Sequence, residues 1–263
     1  RIERSKGSKS GMSGPVIVVT GAGSGIGLAC ARRLLESDWS LALFDRDESA
    51  LERVIDELGT GPRIIALPVD VSDERAVENA MEKAAAFGPV KGLVNSAGIG
   101  ANKPFAETDI AGFRKILEVN VIGTFVASAA AVPALREAGG GSIVNIGSVS
   151  GLVGNMGRTA YGASKGAIVT MTKVMAVELA ADGIRVNAVA PGPVDTPMAQ
   201  AMHSLTDRAE WILRVPMRRY AAPQEIAEPV AFLLSDASAY ITGQVIAVDG
   251  GLTAGALLRP MDA

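Results

Sequence analysis

The sequence predicts an α/β protein, a single doubly wound domain with a mostly parallel seven-stranded sheet and helices on both faces. Three observations predict it. Short β-branched runs alternate with longer, alanine-rich amphipathic stretches. The runs are nearly all apolar, as expected of strands covered on both faces. No shift in composition divides the 263 residues, of which 48% are hydrophobic and 20% charged, a globular balance. Residues 14–263 are therefore read as one domain. Residues 1–13 are polar and aperiodic and are read as a disordered tail.

The elements follow in order. Val16–Thr20 is apolar and bounded by glycines, hence a buried strand; residues 26–37 have helical spacing. Residues 41–45 and 63–69 give the second and third strands. Helices follow them at 49–58 and 73–87, the latter with Ser72 as its expected cap. Residues 93–95 end a fourth strand, and 109–137 form a long helical stretch. Residues 142–148 make the fifth strand, 159–181 a long helix and 185–189 the sixth strand, closed by Ala190-Pro-Gly-Pro193. Residues 194–216 have mixed polarity with prolines near both ends and are read as a substrate lid. A helix at 224–234 and a strand at Val245–Val248 complete the chain.

Several function classes are excluded by composition. A net charge of −3 offers no basis for nucleic-acid binding. One cysteine, Cys30, and one histidine, His203, leave no internal disulfide, no cysteine-rich or histidine-based metal site, and no serine–histidine–aspartate triad unless His203 is its base. No apolar run approaches the ~20 residues of a membrane span, and no secretory h-region follows the basic start. A cytoplasmic protein is expected.

Two segments carry chemistry. After the first strand, Thr20-Gly-Ala-Gly-Ser-Gly-Ile-Gly27 opens a helix. Gly21, Ser24, Gly25, Ile26 and Gly27 give the tight turn and close backbone approach that seat a pyrophosphate on a helix N-terminus, the arrangement of a Rossmann domain. Asp45 ends the second strand, where a carboxylate accepts from ribose hydroxyls and repels a 2′-phosphate. That favours NAD; Arg46, which follows, would attract the phosphate and leaves NADP open. Asp70, before Val71, is placed to accept an adenine amino group or simply to cap its loop. In Asn95-Ser-Ala-Gly98 the small residues Ala97 and Gly98 leave room for a ring or ribose.

The second segment is Tyr161-Gly-Ala-Ser-Lys165, with Ser148 thirteen residues upstream. On a helix, residues four apart share a face, so phenol and ammonium address one site. The cation is expected to lower the tyrosine pKa, letting the phenol exchange a proton with an alcohol or carbonyl near neutral pH.

Together, Thr20–Gly27, Asn95–Gly98, Asn120, Ser148, Tyr161/Lys165 and Pro191-Gly192 resemble the short-chain dehydrogenase/reductase family over residues 14–252. The resemblance implies that Tyr161 is the catalytic acid/base. It implies that Lys165 lowers the tyrosine pKa and binds the nicotinamide ribose, that Ser148 holds the substrate oxygen, and that Asn120 holds a relay water. It places Pro191, Gly192, Val194 and Thr196 along the nicotinamide and makes Asn95 partly a bridge between strands. It also implies a homotetramer built on the long helices around residues 127–135 and 171–179 and on the last strand, with the apolar stretch 250–258 packed at an interface. Ser96 departs from the asparagine more common there.

The expected reaction is hydride exchange between NAD and a secondary alcohol or ketone. The expected pocket is formed by Ser150, Leu152, Asn155, Met156, Met198, Met202, His203 and Trp211, a lining suited to a polyol, sugar or hydroxy acid. The alternative is an NADPH-dependent 3-oxoacyl-carrier-protein reductase, disfavoured by Ser24 and Asp45. A third reading is a non-catalytic nucleotide-binding regulator on the same fold.

Overall fold

A computed structural model describes residues 14–59 and 61–255. The expected tail at 1–13 and the last part of the apolar 250–258 stretch lie outside the described residues. Seven parallel strands form one sheet in the order β3-β2-β1-β4-β5-β6-β7. They are β1 (Val16–Thr20), β2 (Ser40–Asp45), β3 (Ile64–Pro68), β4 (Val90–Asn95), β5 (Gly141–Ile146), β6 (Ile184–Pro191) and β7 (Val245–Val248). In register, Val18 pairs with Ala42 and Leu93, and Val144 with Val94 and Asn187.

Helices cover both faces. On one, α1 (Gly25–Leu35), α2 (Glu48–Leu58) and α9 (Pro223–Leu234) bury Leu34, Val54 and Ile226 against Ile17, Leu41 and Val94. On the other, α3 (Glu74–Phe87), α5 (Gly123–Glu137) and α6 (Thr159–Leu179) bury Val77, Leu135 and Ala176 against Val16, Phe44 and Ile143. Double burial explains why the five inner strands are apolar at nearly every position, while the edge strands β3 and β7 are only partly buried. Strand order reverses between β1 and β4, which opens a crevice at their carboxyl ends, where such sheets bind ligands.

Local chemistry moves several expected boundaries. Asp73, not Ser72, caps α3 by accepting from Ala76 N at 3.0 Å; Ser72 instead donates its hydroxyl to Asp70 at 2.6 Å. The long stretch expected at 109–137 is divided into α4 (Ile110–Leu117), a π-helical turn at Glu118–Ile122, and α5. Helix 110–137 is 28 residues long and apolar enough to cross a bilayer, unlike the expectation from sequence. Half of its most apolar 18-residue window is buried inside the fold, and it packs against the sheet as a core helix. The sheet strand expected to reach Ser148 stops at Ile146, and Ser148 caps a short 3₁₀ turn at Val149–Gly151 by accepting from Ser150 N. Between residues 194 and 216 lie two short helices, α7 (Pro197–Met202) and α8 (Leu205–Arg214).

Candidate active site

The carboxyl ends of β1, β2, β4, β5 and β6 border a cleft of about 440 Å³. Its nucleotide end is built by backbone. Gly21 and Gly25 adopt φ of +66° and +54°, and a Cβ on Gly21 would meet Ala97 Cα at 2.7 Å. A Cβ on Gly27 would run into the Gly21 carbonyl, so Gly27 lies behind the turn and lets α1 begin beneath it. Ser24 caps α1 without a side-chain hydrogen bond, and the first turn carries no acidic residue. The helix N-terminus thus presents uncompensated N–H groups to the cleft, which fits a pyrophosphate. The Asp45 carboxylate accepts from Gly23 N at 2.8 Å and from Asp47 N at 3.0 Å, which fixes it beside the turn with lone pairs to spare. Arg46, Asp70, Val71, Ala97 and Gly98 also line the cleft. Asp70 is drawn into its own loop, and the Ser72 hydrogen bonds hold its carboxyl below the usual range. These residues fit a dinucleotide.

Asn95 lies beneath the cleft rather than in it. Its Nδ2 donates to Asn145 Oδ1 at 2.8 Å and to Ser128 Oγ at 2.9 Å, joining β4 to β5 and α5. Asn120, in the π-helical turn, is also withdrawn. Its Oδ1 accepts from Ile99 N at 2.8 Å, while Nδ2 donates to Ile99 O and Ser164 Oγ at 3.0 and 2.9 Å. The extra residue of a π turn is what rotates this amide off the helix ladder toward the loop after β4.

Tyr161, Lys165 and Ser148 converge at the other end of the cleft. Tyr161 and Lys165 share a face of α6, with the ammonium 5.8 Å from the phenol ring centroid. Lys165 is buried and donates to Ile146 O at 2.7 Å; burial lowers its pKa to about 8. The expectation for Tyr161 is corrected. Burial raises its pKa above the usual tyrosine value, while a hydrogen bond with Ser148 and the charge of Arg158 pull the other way. Arg158 is the cation that acts on Tyr161, and its pull together with that of Ser148 does not offset the lost hydration.

Pro191, Gly192, Val194 and Thr196 follow β6 along the cleft. The Thr196 hydroxyl accepts from Ala199 N at 3.2 Å and caps α7. Ser150, Met198, Met202, His203 and Trp211 line the same cleft. Leu152, Asn155 and Met156 do not. After the 3₁₀ turn the chain swings outward and is reversed at Gly157, whose φ is +72°. Leu152 and Asn155 therefore line a separate shallow groove with Ser150, and Met156 is 90% exposed. Arg158, which the residue pattern did not single out, occupies the cleft in their place. The available signal was a cation three residues before Tyr161, one helical turn away.

A protein-family model described as enoyl-(acyl carrier protein) reductase matches residues 21–253. The chain is 45% identical over 247 residues to galactitol 2-dehydrogenase (L-tagatose-forming) of Cereibacter sphaeroides, covering 92% of this chain and 96% of that one. The chain belongs to the short-chain dehydrogenase/reductase family. A second member of the family, cis-4-hydroxycyclohexanecarboxylate dehydrogenase of Sinomonas cyclohexanicum, is 42% identical over 91% of this chain and 96% of its own length. Among solved structures, 3-ketoacyl-(acyl-carrier-protein) reductase from Brucella melitensis complexed with NADH superimposes with a TM-score of 0.86 at 35% identity. It covers 92% of this chain and 99% of that one. This short-chain dehydrogenase/reductase is thus an NAD(P)-dependent oxidoreductase of alcohols and ketones.

Proposed function

We propose that the protein is an NAD-dependent secondary-alcohol dehydrogenase of polyols, sugars or hydroxy acids, with Tyr161 as its acid/base. The observation that carries this reading is the convergence of Tyr161, Ser148 and Lys165 on one cleft whose other end carries the glycine turn and Asp45. Bound NAD supplies the acceptor for the hydride of the alcohol carbon. Ser148, which lines the same end of the cleft as Tyr161, holds the substrate oxygen. Tyr161 takes the hydroxyl proton during oxidation and returns it during reduction. Lys165, charged when its ribose partner is seated, favours the phenolate and offsets the burial that opposes it. Asn120 positions the loop after β4 through both of its Ile99 hydrogen bonds. Residues 194–216 close over the substrate as a lid, joined to the body by the Val194–Ala221 bridge.

NAD is favoured over NADP because Asp45 is fixed beside the turn and would meet a 2′-phosphate with like charge. A polyol or sugar is what the galactitol relative's name describes, and a hydroxy acid is what the cyclohexanecarboxylate relative's name describes. A homotetramer is supported by an apolar face left open on the long helices: Ile122, Phe125, Val174 and Val177 are exposed, whereas Ala127, Ala131 and Leu135 are spent on the core. Light scattering tests it, and a mass near 27.0 kDa would reject it.

The reaction is tested by following reduced-nicotinamide absorbance with NAD or NADP across polyols, sugars and hydroxy acids, with oxoacyl thioesters assayed in reverse. Activity with NAD on the alcohols supports the reading. NADPH-dependent thioester reduction would replace it with the carrier-protein reductase.

A further inference from the structure

Arg158 is 7% exposed, caps the N-terminus of α6, and stands with its guanidinium carbon 5.9 Å from the Tyr161 ring centroid. Each of its partners is neutral. Nη1 donates to Ala101 O at 3.1 Å and to Met202 Sδ at 3.7 Å, and Nη2 lies 2.5 Å from His203 Nε2. Because a guanidinium is always a donor, His203 Nε2 accepts, and its Nδ1 carries the hydrogen donated to Tyr220 Oη at 2.9 Å. Among the described residues no ion pair includes Arg158. Asp207 influences it through space, but that carboxylate is engaged by Ser204 in the α8 cap.

Among the other arginines, Arg63, Arg185 and Arg218 donate to carbonyl or hydroxyl oxygens, and others are ion-paired. Arg32, Arg33, Arg136, Arg208 and Arg219 each have a carboxylate although water could serve them. The buried arginine, which needs a counter-charge most, has none among the described residues. A guanidinium withdrawn from water without an anion is costly. Nε–H and one Nη2–H are left without acceptors among the described residues, and the side chain lines the cleft.

We infer that Arg158 receives a carboxylate of the substrate, so that the alcohol oxidised is a hydroxy acid and the ketone an oxo acid. This rests on the secondary-alcohol reading and narrows it. A planar guanidinium fork matches a carboxylate in a bidentate pair. One unpaired positive charge balances a monoanion, whereas a phosphate dianion would leave a negative charge buried. The first turn of α6 has no acidic residue and adds favourable potential. Met198, Met202 and Trp211 offer apolar walls for the carbon frame between the carboxylate and the reacting carbon. His203, stacked on Trp211 with centroids 6.1 Å apart, steadies the guanidinium from the α7–α8 side.

The test is titration calorimetry on the full chain saturated with NADH, using cis-4-hydroxycyclohexanecarboxylate and its carboxamide. An alcohol with reduced cofactor cannot transfer hydride, so binding is read without turnover. Wild type is expected to bind the acid about tenfold to a hundredfold more tightly than the amide, the range for hydrogen bonds to a charged group. Arg158→Gln should bring that ratio close to one, and Arg158→Lys should restore part of it. The inference is overturned if wild type binds both equally, a result that needs no variant, or if folded Arg158→Gln keeps the preference. The two readings fail separately. Turnover of neutral alcohols without acid preference rejects the carboxylate receptor alone. Tight acid binding without turnover of any alcohol rejects the reaction and leaves the anion site standing.

Discussion

The Lys165 ammonium donates to the carbonyl of Ile146, the last residue of β5, at 2.7 Å. This single bond ties the face of α6 that carries Tyr161 to the strand end beside Ser148, and it does so with a buried side chain. Burial depresses the Lys165 pKa from an ordinary 10.5 to about 8. Between those values the unfolded chain holds a proton that the folded chain has released. Stability is therefore penalised below about pH 8 and rises with pH toward 10.5. Relative to Lys165→Met, the cofactor-free wild type should gain up to roughly 3 kcal/mol across that window. Urea unfolding of both proteins at intervals from pH 7 to 10 measures it. Parallel curves would show that the folded lysine titrates normally.

Tyr161→Phe removes the proton carrier but little volume. Turnover should fall by at least about a hundredfold, the scale of general acid–base catalysis. NADH affinity, read by fluorescence titration, should stay near that of wild type. Retained turnover would move the proton transfer to another group.

Asp45→Ser removes the fixed carboxylate beside the glycine turn while Arg46 stays. The ratio of kcat/KM for NAD over NADP should drop by about tenfold, or about 1.4 kcal/mol. Steady-state kinetics with both cofactors decide it; an unchanged ratio would mean that selection lies elsewhere in the cleft.

Gly27→Ala drives a methyl into the Gly21 carbonyl, which is backbone and cannot swing aside. Loss of NADH binding with a lowered Tm is expected. Gly61→Ala, where an added Cβ meets nothing within 4 Å, should stay within about 0.5 kcal/mol of wild type. Thermal melts with and without NADH compare them.

Cys30 is fully buried in α1, and burial pushes its thiol up to about 12. It should resist thiol reagents at pH 8 in the native protein and react promptly in denaturant. Fast native labelling would show that α1 opens locally.

The glycine turn and the Tyr161/Lys165 pair were legible because each depends on spacing within one element. The inner strands were legible because apolar runs record burial on both faces, and the partly buried edge strands β3 and β7 were legible from their apolar residues alone. What escaped depends on three-dimensional juxtaposition. Residues 152–156 leave the cleft ahead of a positive-φ turn at Gly157, a glycine that the sequence offers no means of distinguishing from other loop glycines. Arg158 reads as one more surface cation until its burial is known. The tyrosine pKa went the other way because proximity of a cation was visible in the sequence and loss of water was not.

The central strands carry a consequence for motion. Val16–Val19, Leu93 and Val94, Ile143 and Val144 have no exposed surface, while the chain leaving those same strands forms the cleft. Their amides should be among the last to exchange with deuterium, opening only when the whole sheet does. Across the few bonds from Val94 to Gly98, or from Val144 to Ser148, protection should therefore fall steeply. The groups that touch ligand hang from the most slowly exchanging backbone in the molecule, so the cleft can rearrange around its contents without loosening the frame that aims it.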